Sequence, residues 1–183
     1  MALHIGEIYR YSNQNRDLNN PEKIVDGLPN FYYETFCEHA QRAIVFQKGI
    51  HNIAEVKLID GDRRIPAIII SSSPHKAGTD MTPWEDDFNP DYGYIRYFGD
   101  NKSHDQSAER APGNRRLLDA FKKYSSPNED ERMNQGVPLI FVKRVEYEGR
   151  KKGNLMFQGF GIIESVELVT QYDPKLKIKY FSI

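Results

Sequence analysis

The chain has 183 residues, a net charge of −1, 39% hydrophobic and 28% charged residues, the balance of one globular domain with a real core and not of low-complexity disorder. Near-neutral charge argues against a uniformly basic nucleic-acid coat, and the single cysteine, Cys37, leaves neither an internal disulfide nor a paired-cysteine metal clip. No apolar run approaches the roughly 20 residues of a membrane helix, and residues 1–11 (MALHIGEIYRY) set His4, Glu7 and Arg10 where a signal peptide keeps an apolar stretch, so the chain reads as cytoplasmic with no membrane partner.

Residues 5–11 (IGEIYRY) alternate as a strand, and the polar run 12–21 follows as a loop. Residues 31–47 place Phe36, Cys37, Ala40 and Ile44 near one helical face and predict a helix, although the closing AIVFQ equally starts a strand. From residue 53 the pattern turns to β: AEVKLID, a turn at Gly61-Asp62-Arg63, and IPAIIIS predict a hairpin, with Asp60-Gly61 suited to a tight connection. A loop over 71–83 leads into an aromatic and acidic stretch, within which residues 93–99 (GYIRYFG) read as a strand ended by Gly99.

Gly113-Asn114 then precede RRLLDAFKKY, a helix with Leu117, Leu118, Phe121 and Tyr124 on one face and Asn114 as its N-cap. Residues 125–136 (SSPNEDERMNQG) read as a surface loop. The remainder alternates strands and turns: VPLIFVKRVEY, EGRKKGN, LMFQGFGIIESVELVTQYD and KLKIKYFSI. Together these predict one α+β domain over residues 1–183, built on a strongly curved mixed sheet or open β-barrel with about two flanking helices. Its apolar, strand-like last run suggests a module of a longer protein.

Signatures of catalysis are missing: the sequence holds no GxxxxGK[ST], GxSxG or HExxH, and His4, His39, His51, His75 and His104 lack metal-ligand spacing. Asp60 and Asp62 near Glu55 and Lys57 are the nearest approach to a nuclease centre, and an ion pair on a hairpin explains them as well. Basic pairs or runs recur at 63–64, 115–116, 122–123, 143–144 and 150–152; singly, each is an ordinary solvated charge.

The stretch with the most chemistry is residues 82–101, TPWEDDFNPDYGYIRYFGDN, which holds the only tryptophan. A base taken out of a duplex loses a few kcal/mol of stacking and pairing. An aromatic side chain returns about 1–3 kcal/mol per base, and a carboxylate suits the exocyclic amine of cytosine. Trp84 and Tyr97 can supply the faces and Asp87 the edge reader. Alone, Trp84 is an ordinary core anchor, Tyr97 a sheet residue and Asp87 a cap; their combination within fourteen residues favours a base-binding slot. Asp86, Asp87 and Asp91 could instead hold a magnesium ion, but no histidine or lysine stands nearby for the chemistry.

The run W-E-D-D-x-x-P-D-x-G-x-I-x-Y-x-G resembles the SRA domain, which captures a flipped 5-methylcytosine. Gly113-Asn114 with Leu117-Leu118 is similar to that family's G-N segment and helix, GVPLIFVKRV to its G-x-P-V-R-V-x-R strand, and FQGFGIIESVELV to its Y-D-G-x-Y-x-V strand, covering about residues 65–170 in order. With IRYFGDNK included, the pattern is most similar to the N-terminal recognition modules of AspBHI-type modification-dependent restriction endonucleases. The resemblance implies an SRA/PUA-like fold, with Trp84 and Tyr97 stacking on the base and Asp87 reading its edge. A longer spacing from E-D-D to Gly93 than in eukaryotic SRA domains makes Asp86 and Asp91 alternatives to Asp87, and Phe98 stands where those domains set a threonine near the methyl group. Lys102, His104, Arg115, Arg116, Lys143 and Arg144 are the expected DNA-backbone contacts.

The expectation is therefore a domain that flips modified cytosine out of double-stranded DNA and targets a nuclease in cis or in trans, with no catalytic residue, metal or cofactor of its own. The alternatives are a PUA-like reader of another DNA mark or of modified RNA, a metal-dependent nuclease, and a protein-interaction domain.

Overall fold

A computed structural model describes residues 3–11, 28, 29, 31, 49–52, 55–74, 85–89, 91–99, 107–173 and 178–182. Its centre is a five-stranded mixed sheet in the order β1 (Ile8–Arg10), β9 (Asn154–Gly161), β8 (Leu139–Arg144), β5 (Ile68–Ser72) and β2 (Ile50–Asn52). Strands β5 and β8 run parallel, Ile68 pairing with Leu139 and Ser72 with Lys143, while the other neighbours are antiparallel. Three two-stranded ladders complete the described strands: β3 (Val56–Lys57) with β4 (Arg63–Arg64), β6 (Asp87–Asn89) with β7 (Tyr94–Arg96), and β10 (Val169–Asp173) with β11 (Ile178–Ser182).

Strand alternation divides the core between the two faces of this sheet. Ile69 joins Tyr9, Phe31, Ile140, Val142, Leu155 and Phe157 on one face; Ile68 and Ile70 join Ile50, Leu139 and Phe141 on the other. Helix α1 (Pro112–Tyr124) covers the second face with Leu117 and Ala120. Each buried isoleucine is worth about 1.5–3 kcal/mol in apolar area removed from water, so β5, buried along its whole length, anchors the fold.

The α+β class, the mixed sheet and the helix predicted over 115–124 match the expectation. Among the described residues the strands do not close into a barrel. Three local readings are corrected. The predicted hairpin is short: β3 pairs with β4 around Gly61, where Leu58 N donates to Asp62 O at 2.7 Å, whereas Ile68–Ser72 leaves to become a central strand. Asn114 is not an N-cap, because α1 starts at Pro112; its side chain is fully buried and donates to Ala108 O at 2.9 Å. The stretch 125–136, expected as a loop, contains helix α2 (Glu129–Gln135), whose cap Asn128 accepts from Asp130 N and Glu131 N. The predicted helix over 31–47 lies outside the described residues except for Phe31.

Candidate nucleic-acid interface

Strand β5 ends in Ser71 and Ser72, both buried. Because side chains alternate, Ser72 turns to the face carrying Ile70 and α1, and there its Oγ donates to Asp86 Oδ2 at 2.7 Å. The other oxygen, Asp86 Oδ1, accepts from Phe98 N at 3.0 Å. One carboxylate thus joins the end of β5 to the segment leaving β7. Burial raises its pKa above the ordinary value, opposed by the hydrogen bonds from Ser72 and Phe98 and assisted by the charge of Glu85.

Asp87 is one residue further on and differs in every respect. It opens β6, is exposed, and accepts from the Tyr94 hydroxyl at 3.2 Å across the hairpin. Asp91 is exposed in the hairpin turn. Among the described residues no group of three histidine, cysteine or acidic side chains is arranged to hold a metal ion.

Tyr97 and Phe98 are half-buried beyond β7, Tyr97 packed against the second core cluster. Gly49, at the entry to β2, makes room for the Tyr97 hydroxyl: a Cβ at this glycine would collide with that oxygen, while the next ring atom, Cζ, would stand at an ordinary 3.7 Å. Arg96 lies over the Phe98 ring, 5.3 Å from its centroid. Tyr97 and Phe98 also line a cavity of about 660 Å³ shared with Tyr94, Arg96, Phe141 and Phe160, within the range of small-ligand sites. The three aspartates are not among its walls, but Asp86 grips the backbone of Phe98, which is.

The remaining expected contacts scatter. Arg115 and Arg116 are exposed on α1, and Lys143 and Arg144 are half-buried at the end of β8. Trp84, Lys102 and His104 lie outside the described residues. Ser72 and Gly49 carry no sequence signal, because their roles depend on neighbours far along the chain.

The model of the family described as restriction endonuclease AspBHI N-terminal matches residues 4–179. The chain belongs to this family. Among solved structures it is similar to the MspJI restriction endonuclease in complex with a 27-mer oligonucleotide, at 31% identity and a TM-score of 0.79 over 98% of this chain. It shares its fold with the DNA recognition domain of the cytosine modification-dependent restriction endonuclease LpnPI, at 16% identity and a TM-score of 0.61, covering 98% of this chain and 70% of that one. The DNA modification-dependent restriction endonuclease AspBHI has the same fold, at 14% identity and a TM-score of 0.57 over 100% of this chain and 73% of that one. The chain spans 40% of the MspJI chain. No curated protein matches it. Among the described residues no helix is long and apolar enough to cross a membrane.

Proposed function

We infer that this AspBHI-type N-terminal domain binds double-stranded DNA carrying a modified cytosine, 5-methylcytosine first among the marks, by flipping the base against Tyr97 and Trp84 and directing a nuclease domain in cis or in trans. The observation that carries the reading is the Asp86 carboxylate, held from both sides by the Ser72 hydroxyl and by the backbone N of Phe98, the residue that follows Tyr97. An edge reader must present an acceptor in a fixed position and in surroundings that exclude competing water. Asp86 meets that requirement better than the exposed Asp87 or Asp91, so we assign it the exocyclic amine of the base. Each of its oxygens keeps a second lone pair for that purpose. The family's restriction enzymes and the oligonucleotide in the MspJI complex support DNA as the partner.

Trp84 is the only tryptophan, so its emission reports on the proposed slot. In a titration with duplexes that differ by one 5-methylcytosine, the modified duplex quenches it and binds more tightly. An equal response to both duplexes would refute methyl reading, and no response from either would refute DNA binding.

A further inference from the structure

We propose that the β8–β9 hairpin, residues 145–153, is an arm that grips DNA phosphates beside the base slot, through Arg150, Lys151 and Lys152. The proposal rests on the DNA-binding reading and adds to it an element of the chain with no role so far.

The parallel pairing of β5 and β8 carries it. Parallel strands finish at the same edge of a sheet, and Ser72, which holds Asp86, pairs in register with Lys143. The chain leaving β8 therefore departs from the edge where the candidate edge reader is fixed. It returns as a tight hairpin: Val145 N donates to Asn154 O at 3.4 Å, Tyr147 N to Arg150 O at 3.1 Å and Arg150 N to Tyr147 O at 2.9 Å. Glu148 and Gly149 close it with φ of 49° and 73°, the two left-handed central positions of a type I′ turn. Glycine takes such a φ without strain.

The hairpin is thus a built projection. At about 3.3 Å per residue, its tip stands on the order of 13 Å beyond Arg144, far enough to reach phosphates flanking a flipped nucleotide.

Its charge fits that target. From Lys143 to Lys152 there are five cations against two carboxylates, Glu146 and Glu148, in a chain whose net charge is −1. Arg150, Lys151 and Lys152 are exposed in sequence on the returning side, while Lys143 and Arg144 sit half-buried at the base. On α1 the exposed Lys122 lies 3.9 Å from Asp119, an acid on the same helix. Phosphate contacts fix position and carry no sequence information, so the arm adds affinity for any duplex and leaves the preference for a modified one intact.

The test uses the whole chain with Arg150, Lys151 and Lys152 all replaced by alanine, beside a Lys122→Ala/Lys123→Ala control, and follows affinity for modified and unmodified duplexes against salt. Each lost phosphate contact lowers the slope of log affinity against log salt by about 0.9. The expected result is a slope smaller by about two to three, an equal loss of at least about tenfold on both duplexes at low salt, and an unchanged thermal midpoint. The control keeps the wild-type slope. Binding by the wild type with an unchanged slope in the triple variant overturns the arm alone, as does an equal loss in the control or a collapse of the modified-to-unmodified ratio. Failure of the wild type to bind either duplex overturns the DNA reading, and the arm with it.

Discussion

The corner at the end of β5 and the β6–β7 hairpin meet between Asp86 and Asp87, and the two carboxylates find opposite surroundings. Asp86 is drawn inward and fastened to Ser72 and Phe98; Asp87 faces solvent, with the exposed Tyr94 hydroxyl as its partner. Alternation along a strand makes such a split unavoidable, because successive side chains take opposite faces. Which of two adjacent acids is enclosed depends on where the strand is laid. Here that is decided by Ser72, fourteen positions upstream.

The largest expected effect tests the pair directly. Asp86→Asn keeps the shape and removes the charge-assisted acceptor, worth about 1.5–3 kcal/mol, so affinity for the modified duplex falls on the order of 10- to 100-fold. Asp87→Asn changes it less than about threefold. Anisotropy titrations with the same duplex decide, and equal losses would return the edge-reading role to the hairpin.

Next comes Gly49→Ala, which drives a methyl group into the Tyr97 hydroxyl. If Tyr97 stacks on the base, its displacement costs about tenfold in specific affinity. Adding Tyr97→Phe removes the colliding oxygen and restores most of the loss. A double variant as weak as the single one would show that Gly49 acts through something other than Tyr97.

A smaller effect comes from acidity, with opposite signs for binding and stability. Accepting from a base amine requires ionised Asp86, so its contribution to affinity fades as pH falls through the raised pKa, at a higher pH than for an ordinary aspartate near 3.8. The folded chain holds this proton more tightly than the unfolded one. The corresponding stability is therefore fully present below 3.8 and is lost as pH rises through the raised value. Ser72→Ala removes a bond that lowers the pKa and moves the binding midpoint upward; a midpoint that stays put would detach Ser72 from Asp86. Smallest for binding is Asn128→Ala, which unfastens the N-terminus of α2. It costs about 1 kcal/mol of stability in denaturant melts and leaves DNA affinity unchanged.

The sequence was legible where chemistry is local. The resemblance of residues 82–101 led to the right family, and the apolar face of 115–124 to α1. It was less legible where one pattern has two solutions. Ile68, Ile69 and Ile70 form a continuous apolar run, the mark of a strand buried on both faces and paired in parallel, yet the turn at Gly61 drew them into a hairpin. Asn128 and Glu131 have the spacing of a capping box, but the polar composition around them reads as loop. Which of Asp86 and Asp87 is enclosed was beyond reach, since it rests on contacts that only the folded chain makes.

The parallel pairing of β5 with β8 has a kinetic side. To lay these strands together the chain must first close the connection from Ser72 to Leu139, and the candidate base slot, β6, β7 and both helices all travel inside it. Long connections are closed against chain entropy before their contacts repay it. Asp86 can be fastened to Ser72 only within that same connection, so the candidate slot is completed by the chain segment whose closure the central sheet requires.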